Sequence, residues 1–339
     1  MGARVRVFAV VMICSAMGLA GCSQHFMRDT VASGIVDFNN DYATPWFMAS
    51  EDTNVMCAMG EGMGGMVYPM GPNVDPLIPM LTLSAGICAL EKSQEQELRY
   101  IRAMRKNDAE NAQDARTLQK RWMSLAAQRQ YFGYQAMVRV FGEPGEDCPR
   151  FDNKDEERSY FFGLLVGIQA FQSDFATGGE AGVPNDTVSK VTNGMKCLDS
   201  DEYWGLPDAV NIMGEIILAG AGDDKAALEA GYAKLDEAAR VGERQGVRMV
   251  QALQAHMFIM QDKDERAKQI IRDHVASIKR TAPNPDYRLM DLMATRQVLA
   301  ASDKLWTEAT GRRTPYGKLG TFWDDKPKLD SALDIDDLL

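Results

Sequence analysis

The chain contains very little histidine, with only His25, His256 and His274 among 339 residues. None of the three falls in the spacing that metalloproteases or zinc deaminases require. His274 has aliphatic neighbours at helical spacing, so we expect it to be a hydrogen-bonded or partly exposed helix residue. We therefore do not expect this protein to function through histidine chemistry.

Other patterns of catalytic and metal sites are also missing from the sequence. The cysteine spacing fits neither a zinc ribbon nor a redox pair. No acidic run has the glycine and the terminal glutamate of a calcium loop at the required offsets. These absences favour a binding or scaffolding role. We expect no enzyme, no cofactor and no metal, with a hydrolase as the least supported alternative.

Basic residues are too few for a protein that binds nucleic acid. The chain has 37 Lys and Arg against 48 Asp and Glu, which gives a formal net charge of -11 at pH 7. An acidic surface is repelled by the phosphate backbone and by anionic lipid alike. We therefore expect no nucleic acid partner and no body lying flat on anionic lipid.

The N-terminus, by contrast, carries a recognisable signal. Residues 1–21 combine a cationic start, an apolar stretch and small residues, the three parts of a secretory signal peptide. The apolar stretch is shorter than the length of about twenty residues that a membrane-spanning helix needs. It ends in Leu19-Ala20-Gly21-Cys22, the pattern of a bacterial lipobox, in which the cysteine is acylated and the chain is cut before it.

This pattern predicts a lipoprotein that is anchored through Cys22. Several acyl chains such as palmitate on one residue make a stable anchor, since each buried methylene contributes about 0.8 kcal/mol. Ser23, rather than an aspartate, follows the cysteine, and this resembles the pattern sorted to the outer membrane. We expect a protein on the periplasmic side of the outer membrane. A single-span anchor and an unlipidated secreted protein are the alternatives.

Four cysteines remain in the mature chain once Cys14 and Cys22 are set aside. An even number in an oxidising compartment indicates disulfides. We favour the pairs Cys57 with Cys88 and Cys148 with Cys197, because one predicted helix-to-helix return separates the members of each pair. Buried free thiols are the alternative, since cysteine packs well as a small apolar residue.

Methionines recur at steps of three and four residues between positions 56 and 70, which places them along one face of a predicted helix. Thioether sulfur suits Cu(I), so a copper site is one hypothesis, with Met56, Met59, Met63 and Met66 as its ligands. We favour core packing, because methionine fills helix interfaces and no histidine lies near.

The same stretch contains a formal G-x-G-x-x-G at Gly60, Gly62 and Gly65. The dinucleotide fingerprint needs a preceding strand and a later acidic residue within a βαβ unit, whereas the approach to Gly60 has a helical pattern. We expect these glycines, together with Gly64, to allow close helix packing.

The mature chain divides into four predicted parts. Residues 22–45 form a tether whose short amphipathic piece, Val31, Ile35 and Phe38, is expected to dock on the body. Residues 46–145 form an N-terminal helical part with helices over Pro76–Leu90, Gln94–Met104 and Ala109–Phe141. Residues 146–312 form a helix-pair repeat part, and residues 313–339 form an acidic tail.

Apolar stripes in the repeat part recur in pairs about forty residues apart, as in helix-pair solenoids. One pair cannot bury its own stripe, so the pairs must stack. A final helix over Asp286–Trp306 is expected to cap them. Hardly any segment alternates with a period of two, so we predict an all-α fold of stacked helix pairs, a degenerate tetratricopeptide-like α-solenoid with a helical N-terminal part.

Several stretches resemble the TatT family, the lipid-anchored tetratricopeptide-like proteins that accompany TRAP transporters. They are the lipobox, the helices over Met56–Leu90, the stretch Tyr160–Gly167, the helix Ala230–Arg240 and the helix Pro285–Trp306. The resemblance implies an all-helical body, a trimer with a central passage, and contact with a periplasmic solute-binding protein that delivers a small organic ligand. It transfers no site residue.

We therefore expect a lipid-anchored periplasmic helical-repeat protein, accessory to a TRAP-type importer through binding of a solute-binding protein or a ligand. A scaffold or assembly lipoprotein of the envelope is the main alternative. A methionine-rich copper-holding protein is the less favoured one.

Overall fold

The computed structural model describes residues 26–145 and 147–326. The predicted signal peptide, Cys22 and the end of the acidic tail lie outside the described residues. Within these ranges the chain is helical and has no strand, which confirms the all-α prediction. The helices are α1 (26–38), α2 (Thr44–Met48), α3 (Thr53–Val67), α4 (Ile78–Arg105), α5 (Ala109–Phe141), α6 (Lys154–Thr177), α7 (Thr187–Met195), α8 (Leu206–Ala221), α9 (Lys225–Gln245), α10 (Met249–Met260), α11 (Asp264–Arg280) and α12 (Arg288–Thr310).

Helices α4, α5 and α6 pack side by side through small residues. A Cβ on Gly163 of α6 would lie 2.3 Å from Cγ of Met137, and one on Gly133 of α5 would overlap the hydroxyl of Thr82. Such contacts exist only where a glycine lets two helices approach closely. Gly163 and Gly167 form a seam of small residues on α6 that faces α5.

The expectation of two helices over Pro76–Leu90 and Gln94–Met104 is wrong, because α4 runs unbroken from Ile78 to Arg105. No glycine or proline between the two segments stops it. The stretch Pro72–Arg105 is long and apolar enough to cross a membrane, but 83% of its apolar window is buried within the protein. The protein core accounts for its apolar character.

The predicted helix pairs are present as α6–α7, α8–α9 and α10–α11. Local signals set the helix ends. The side chain of Asn153 accepts hydrogen bonds from backbone N–H groups in the first turn of α6. Gly178, Gly246 and Gly311, which follow α6, α9 and α12, adopt the left-handed conformation that ends a helix. One apolar core continues from Met56 in α3 to Leu305 in α12.

Helix α12 closes the stack onto the N-terminal part of the chain. It packs on α10 and α11, and also on α2, α3 and α4. Its contact with α4 includes the pair Lys304–Glu97 at 2.9 Å and the pair Arg296–Glu91 at 3.5 Å. Helix α12 therefore contacts both the helix pairs and the N-terminal helices, instead of capping an open end.

The segment expected to be a tether is helical and docks by a different face from the one predicted. Helix α1 continues through a π-helical turn, Asn39–Ala43, into α2. Ala32 is fully buried against Val67, Val74 and Ile78, whereas Val31 and Phe38 are exposed. The small side chain of Ala32 lets the helix approach the body closely, which the larger residues would prevent.

Part of the predicted acidic tail is also packed. Phe322 is buried, and Trp323 makes an edge contact with Trp306 of α12. Lys268 of α11, itself almost fully buried, forms an ion pair with Asp324 at 2.6 Å. Residues 313–326 therefore belong to the body rather than to a tail.

Candidate docking edge

Two disulfides join helical segments that neighbour each other along the chain. Cys57 of α3 is bonded to Cys88 of α4, with an S–S distance of 2.01 Å. Cys148, before α6, is bonded to Cys197, after α7, at 2.07 Å. The pairing is the one favoured from the sequence, and none of the four is a free thiol.

The methionines of α3 do not share one environment. Met56 is buried in the main core and Met59 packs against it, whereas Met63 and Met66 are exposed. The core-packing interpretation is therefore right for Met56 and wrong for Met63 and Met66. The buried face of α3 consists instead of small and apolar residues, namely Thr53, Met56, Gly60, Gly64 and Val67. No group of three His, Cys, Asp or Glu residues in the described part of the chain could hold a metal ion.

The glycines of the formal G-x-G-x-x-G lie within α3 and have different surroundings. A Cβ on Gly60 would lie 2.4 Å from the backbone nitrogen of Ala85 in α4, whereas one on Gly62 or Gly65 would meet nothing within 4 Å. Close packing is thus the role of Gly60 alone. Gly64 is buried next to the ring of Tyr68. The motif precedes no phosphate-binding turn, because the helix runs through it.

A buried polar network links α10, α11 and α12, and the sequence patterns did not reveal it. The guanidinium of Arg248 donates to Asp291 Oδ2 at 2.7 Å and to Ser277 Oγ at 2.8 Å. The Nη2 atom of Arg248 donates to the backbone carbonyls of Ser277 and Thr281 at the end of α11. Every hydrogen bond lies inside the body, so the network fixes how three helices meet and offers nothing to a ligand.

His274 belongs to the same network. Its Nδ1 lies 2.8 Å from Gln251 Oε1 and its Nε2 lies 3.0 Å from Thr295 Oγ1. We assign the proton to Nδ1, because only a donor there satisfies the amide oxygen. Burial, aided by the charge of Arg248, lowers the pKa of His274 to about 4. The expected hydrogen-bonded histidine is therefore neutral and fully buried.

The cleft between the π-helical turn and the start of α6 is small. It is lined by polar groups of Asn39, Thr44, Arg158 and Ser159, and its volume is about 20 Å³. That is room for about one water molecule, whereas ligand pockets measure roughly 300–1,000 Å³. This cleft does not hold a small organic ligand.

Exposed apolar side chains recur where α6, α8 and α10 end. Contacts at both ends of these helices show that they run in the same direction. At their starts, the ring of Phe161 in α6 stacks on Tyr203, just before α8, at 4.3 Å between centroids. At the other end, Gly231 meets Ile216 of α8, and the hydroxyl of its neighbour Tyr232 donates to Gln261, just after α10.

The helix ends therefore share one edge of the stack, which we name the docking edge, and its side chains are between 65% and 75% exposed: Phe175, Ile217, Leu218 and Met260. Exposed charges around it are mostly acidic: Glu180, Asp223, Asp224, Asp262 and Asp264. The basic residues there are Lys225 and, against the ring of Tyr232, Lys263 and Arg266. An apolar strip with a charged rim has the anatomy of a protein interface. The sequence signal for it was the apolar end of α8, Ile216–Ala219.

Comparison with known proteins gives no relative: no family, no curated protein and no solved structure matches the chain, and none identifies the TatT family.

Proposed function

We propose that this protein is an exported, lipid-anchored docking protein of the outer membrane, accessory to a TRAP-type importer. Its docking edge binds a periplasmic solute-binding protein. The observation that carries this proposal is the exposure of Phe175, Ile217, Leu218 and Met260 where three parallel helices of the body end. The TatT resemblance and the two disulfides support the compartment and the class of partner.

The chemistry of the edge defines the partner's surface. Apolar side chains at the ends of three helices match an apolar patch, and the acidic rim matches basic residues around that patch. Rim charges of this kind raise the rate of association and make it fall with salt. A small ligand would then be handled by the partner, since the cleft beside α6 is too small for one.

Site-specific crosslinking tests this function in native membranes. A photoreactive residue replaces Leu218, and a matched control carries it at Thr117, an exposed position of α5. We expect a crosslink to a solute-binding protein from position 218 and none from position 117. Adding Met260→Asp to the position 218 variant should abolish the crosslink, because a carboxylate disrupts an apolar contact.

The identity of the crosslinked protein decides between the candidate functions. An adduct with a solute-binding protein supports the accessory role. An adduct with an envelope assembly component supports the alternative function, in which the docking edge holds a scaffold partner. Equal labelling from positions 218 and 117, or none from either, overturns docking at this edge.

A further inference from the structure

A second apolar surface lies on the outward face of α1 and α2. Its five large side chains are between 51% and 66% exposed, and we name them the outer stripe: Met27, Val31, Phe38, Tyr42 and Trp46. The rings of Phe38 and Tyr42 stack with 5.8 Å between centroids. A continuous exposed apolar face of this size marks an interaction site.

The outer stripe is one face by geometry. Its members are separated by four or seven residues, and these steps bring side chains to the same side of a helix. The π-helical turn Asn39–Ala43 lies between Phe38 and Thr44, and Trp46 follows Tyr42 by four residues. The opposite face is already occupied, since Ala32, Phe47 and Met48 are buried against the body. The stripe therefore cannot be covered by the body itself.

The stripe also begins next to the predicted lipid anchor. Four residue steps separate Cys22 from Phe26, and four extended residues span at most about 14 Å. An acylated Cys22 would hold the start of α1 at the bilayer surface. The stripe then runs for about 28 Å along the helix at 1.5 Å per residue.

We propose that the outer stripe lies in the interface of the lipid bilayer, with α1 and α2 parallel to the membrane plane. The proposal rests on the lipid anchor of the proposed function. Tyr42 and Trp46 are side chains that favour the headgroup level, while Met27, Val31 and Phe38 enter the acyl boundary, as in amphipathic interfacial helices. The members of the outer stripe then have a partner in lipid, as Ala32, Phe47 and Met48 have theirs in the body.

Charge determines which lipid fits. Asp37 and Asp41 flank the stripe and are exposed, and Arg28 is the one basic residue among positions 26–48. Anionic headgroups would repel these carboxylates. The stripe therefore suits a zwitterionic surface, and its contact with lipid is apolar. The stripe gives the body a fixed orientation, which a flexible tether could not.

Depth-dependent quenching of Trp46 tests this placement. The full-length acylated protein is reconstituted into phosphatidylethanolamine–phosphatidylcholine vesicles that carry brominated acyl chains. Trp46→Phe defines the signal of the other tryptophans. We expect quenching that disappears in Trp46→Phe, because the other tryptophans belong to the body.

The protein without its anchor separates the two proposals. Cys22→Ala, with no acyl chain, should still bind zwitterionic vesicles weakly, and Phe38→Ser with Tyr42→Ser and Trp46→Ser should reduce that partition by about tenfold or more. The matched control is Phe175→Ser with Leu218→Ser, two equally exposed residues at the docking edge, which should leave the partition unchanged. Mass spectrometry of Cys22 tests acylation independently.

Two results would overturn the lipid contact. The first is an acylated, vesicle-bound protein whose Trp46 is not quenched. The second is self-association in solution that the triple serine variant abolishes while vesicle binding stays constant, which would make a second copy of the chain the occupant. An unacylated Cys22 with intact stripe-dependent partition would refute the anchor and leave the lipid contact standing.

Discussion

Arg248 has the largest fully buried side chain in the described part of the chain. Its charge is compensated by Asp291 of α12, and its remaining donors reach carbonyls at the end of α11, where the helix dipole favours a cation. A buried ion pair contributes little net stability compared with an apolar core, but removing one partner costs about 3–5 kcal/mol. The pair therefore specifies how α10, α11 and α12 meet.

His274 makes the stability of this network depend on pH. Its folded pKa is lowered to about 4, whereas an unfolded histidine titrates near its ordinary value of about 6.5. Between these values the unfolded chain binds more protons, so stability falls as pH drops from about 6.5 to about 4. The loss from this residue is at most about 3 kcal/mol. We expect urea midpoints to fall less over this range in His274→Asn than in the wild type.

Ring titration by NMR checks the cause separately from the stability. The His274 resonance, assigned through His274→Asn, should titrate with a midpoint near 4 in the folded protein, ahead of acid unfolding. A midpoint near 6.5, or equal pH dependence in the variant and the wild type, would show that the ring is not buried as a neutral group.

Single residues differed in how well the sequence predicted them. The disulfide partners were predictable, because each pair brackets one helix return. Arg248 and Asp291 were not, because 43 positions separate them and a periodicity search assigns charged residues to the solvent. The partners of a buried charge are set by tertiary packing, which no local pattern contains.

The bounds of individual helices follow well from the sequence, whereas their buried faces do not. α5 spans Ala109–Phe141 as predicted, because Asp108 caps its first turn and Gly142, with a positive φ, ends it. Helical spacing places six large side chains on one face of α5, and the structure buries them unequally. Tyr134 is buried and Tyr131 and Val138 pack against the core, whereas Leu118, Trp122 and Leu125 are only partly buried. The residues at the centre of α5 are small, including Ala126, Ala127 and Gly133. Close helix packing selects small side chains, whereas a hydrophobicity pattern selects large ones.

Two glycines of α3 provide a direct test of that close packing. An alanine at Gly60 would place its Cβ 2.4 Å from a backbone nitrogen of α4, and backbone cannot move aside as a side chain can. We expect Gly60→Ala to cost about 1–3 kcal/mol. The matched control is Gly62→Ala, which faces open space and should stabilise the helix by about 0.5–1 kcal/mol.

Urea unfolding followed by circular dichroism measures both variants. Opposite shifts of the midpoint at an unchanged slope are the expected outcome. Equal shifts of the two midpoints would mean that α3 does not lie against α4 as described. In that case close helix packing would not explain why Gly60 belongs to the formal G-x-G-x-x-G.

At the scale of the whole molecule, the stacked helix pairs were predictable from the sequence. The contact of the last helix, α12, with the N-terminal helices was not. Helical periodicity shows which face of α12 is apolar, but not that the helix also contacts α4. Three ion pairs take part in the closing contact: Glu91, Glu95 and Glu97 of α4 face Arg296 and Lys304 of α12 and Arg313 just after it. Such residues normally mark a solvated face, so the sequence pattern pointed away from an interface.

Charge reversal along this seam tests whether the two ends of the chain are coupled. The variant Glu91→Lys with Glu95→Lys and Glu97→Lys places like charges against α12 and the residues that follow it. Each partly exposed pair contributes about 0.2–1 kcal/mol, so reversing three of them should cost about 1–3 kcal/mol. Reversing both sides, by adding Arg296→Glu, Lys304→Glu and Arg313→Glu, should recover most of this loss.

The control for the seam is the exposed pair Lys234–Glu215 between α8 and α9, with 2.8 Å between its charged atoms. Glu215→Lys should shift the urea midpoint by less than a third of the triple reversal, because that pair is single and solvent-screened. Since α4 and α12 enclose one shared core, hydrogen exchange should accelerate in both helices of the triple variant. Acceleration confined to α12 would show that the N-terminal helices fold independently of the closing helix.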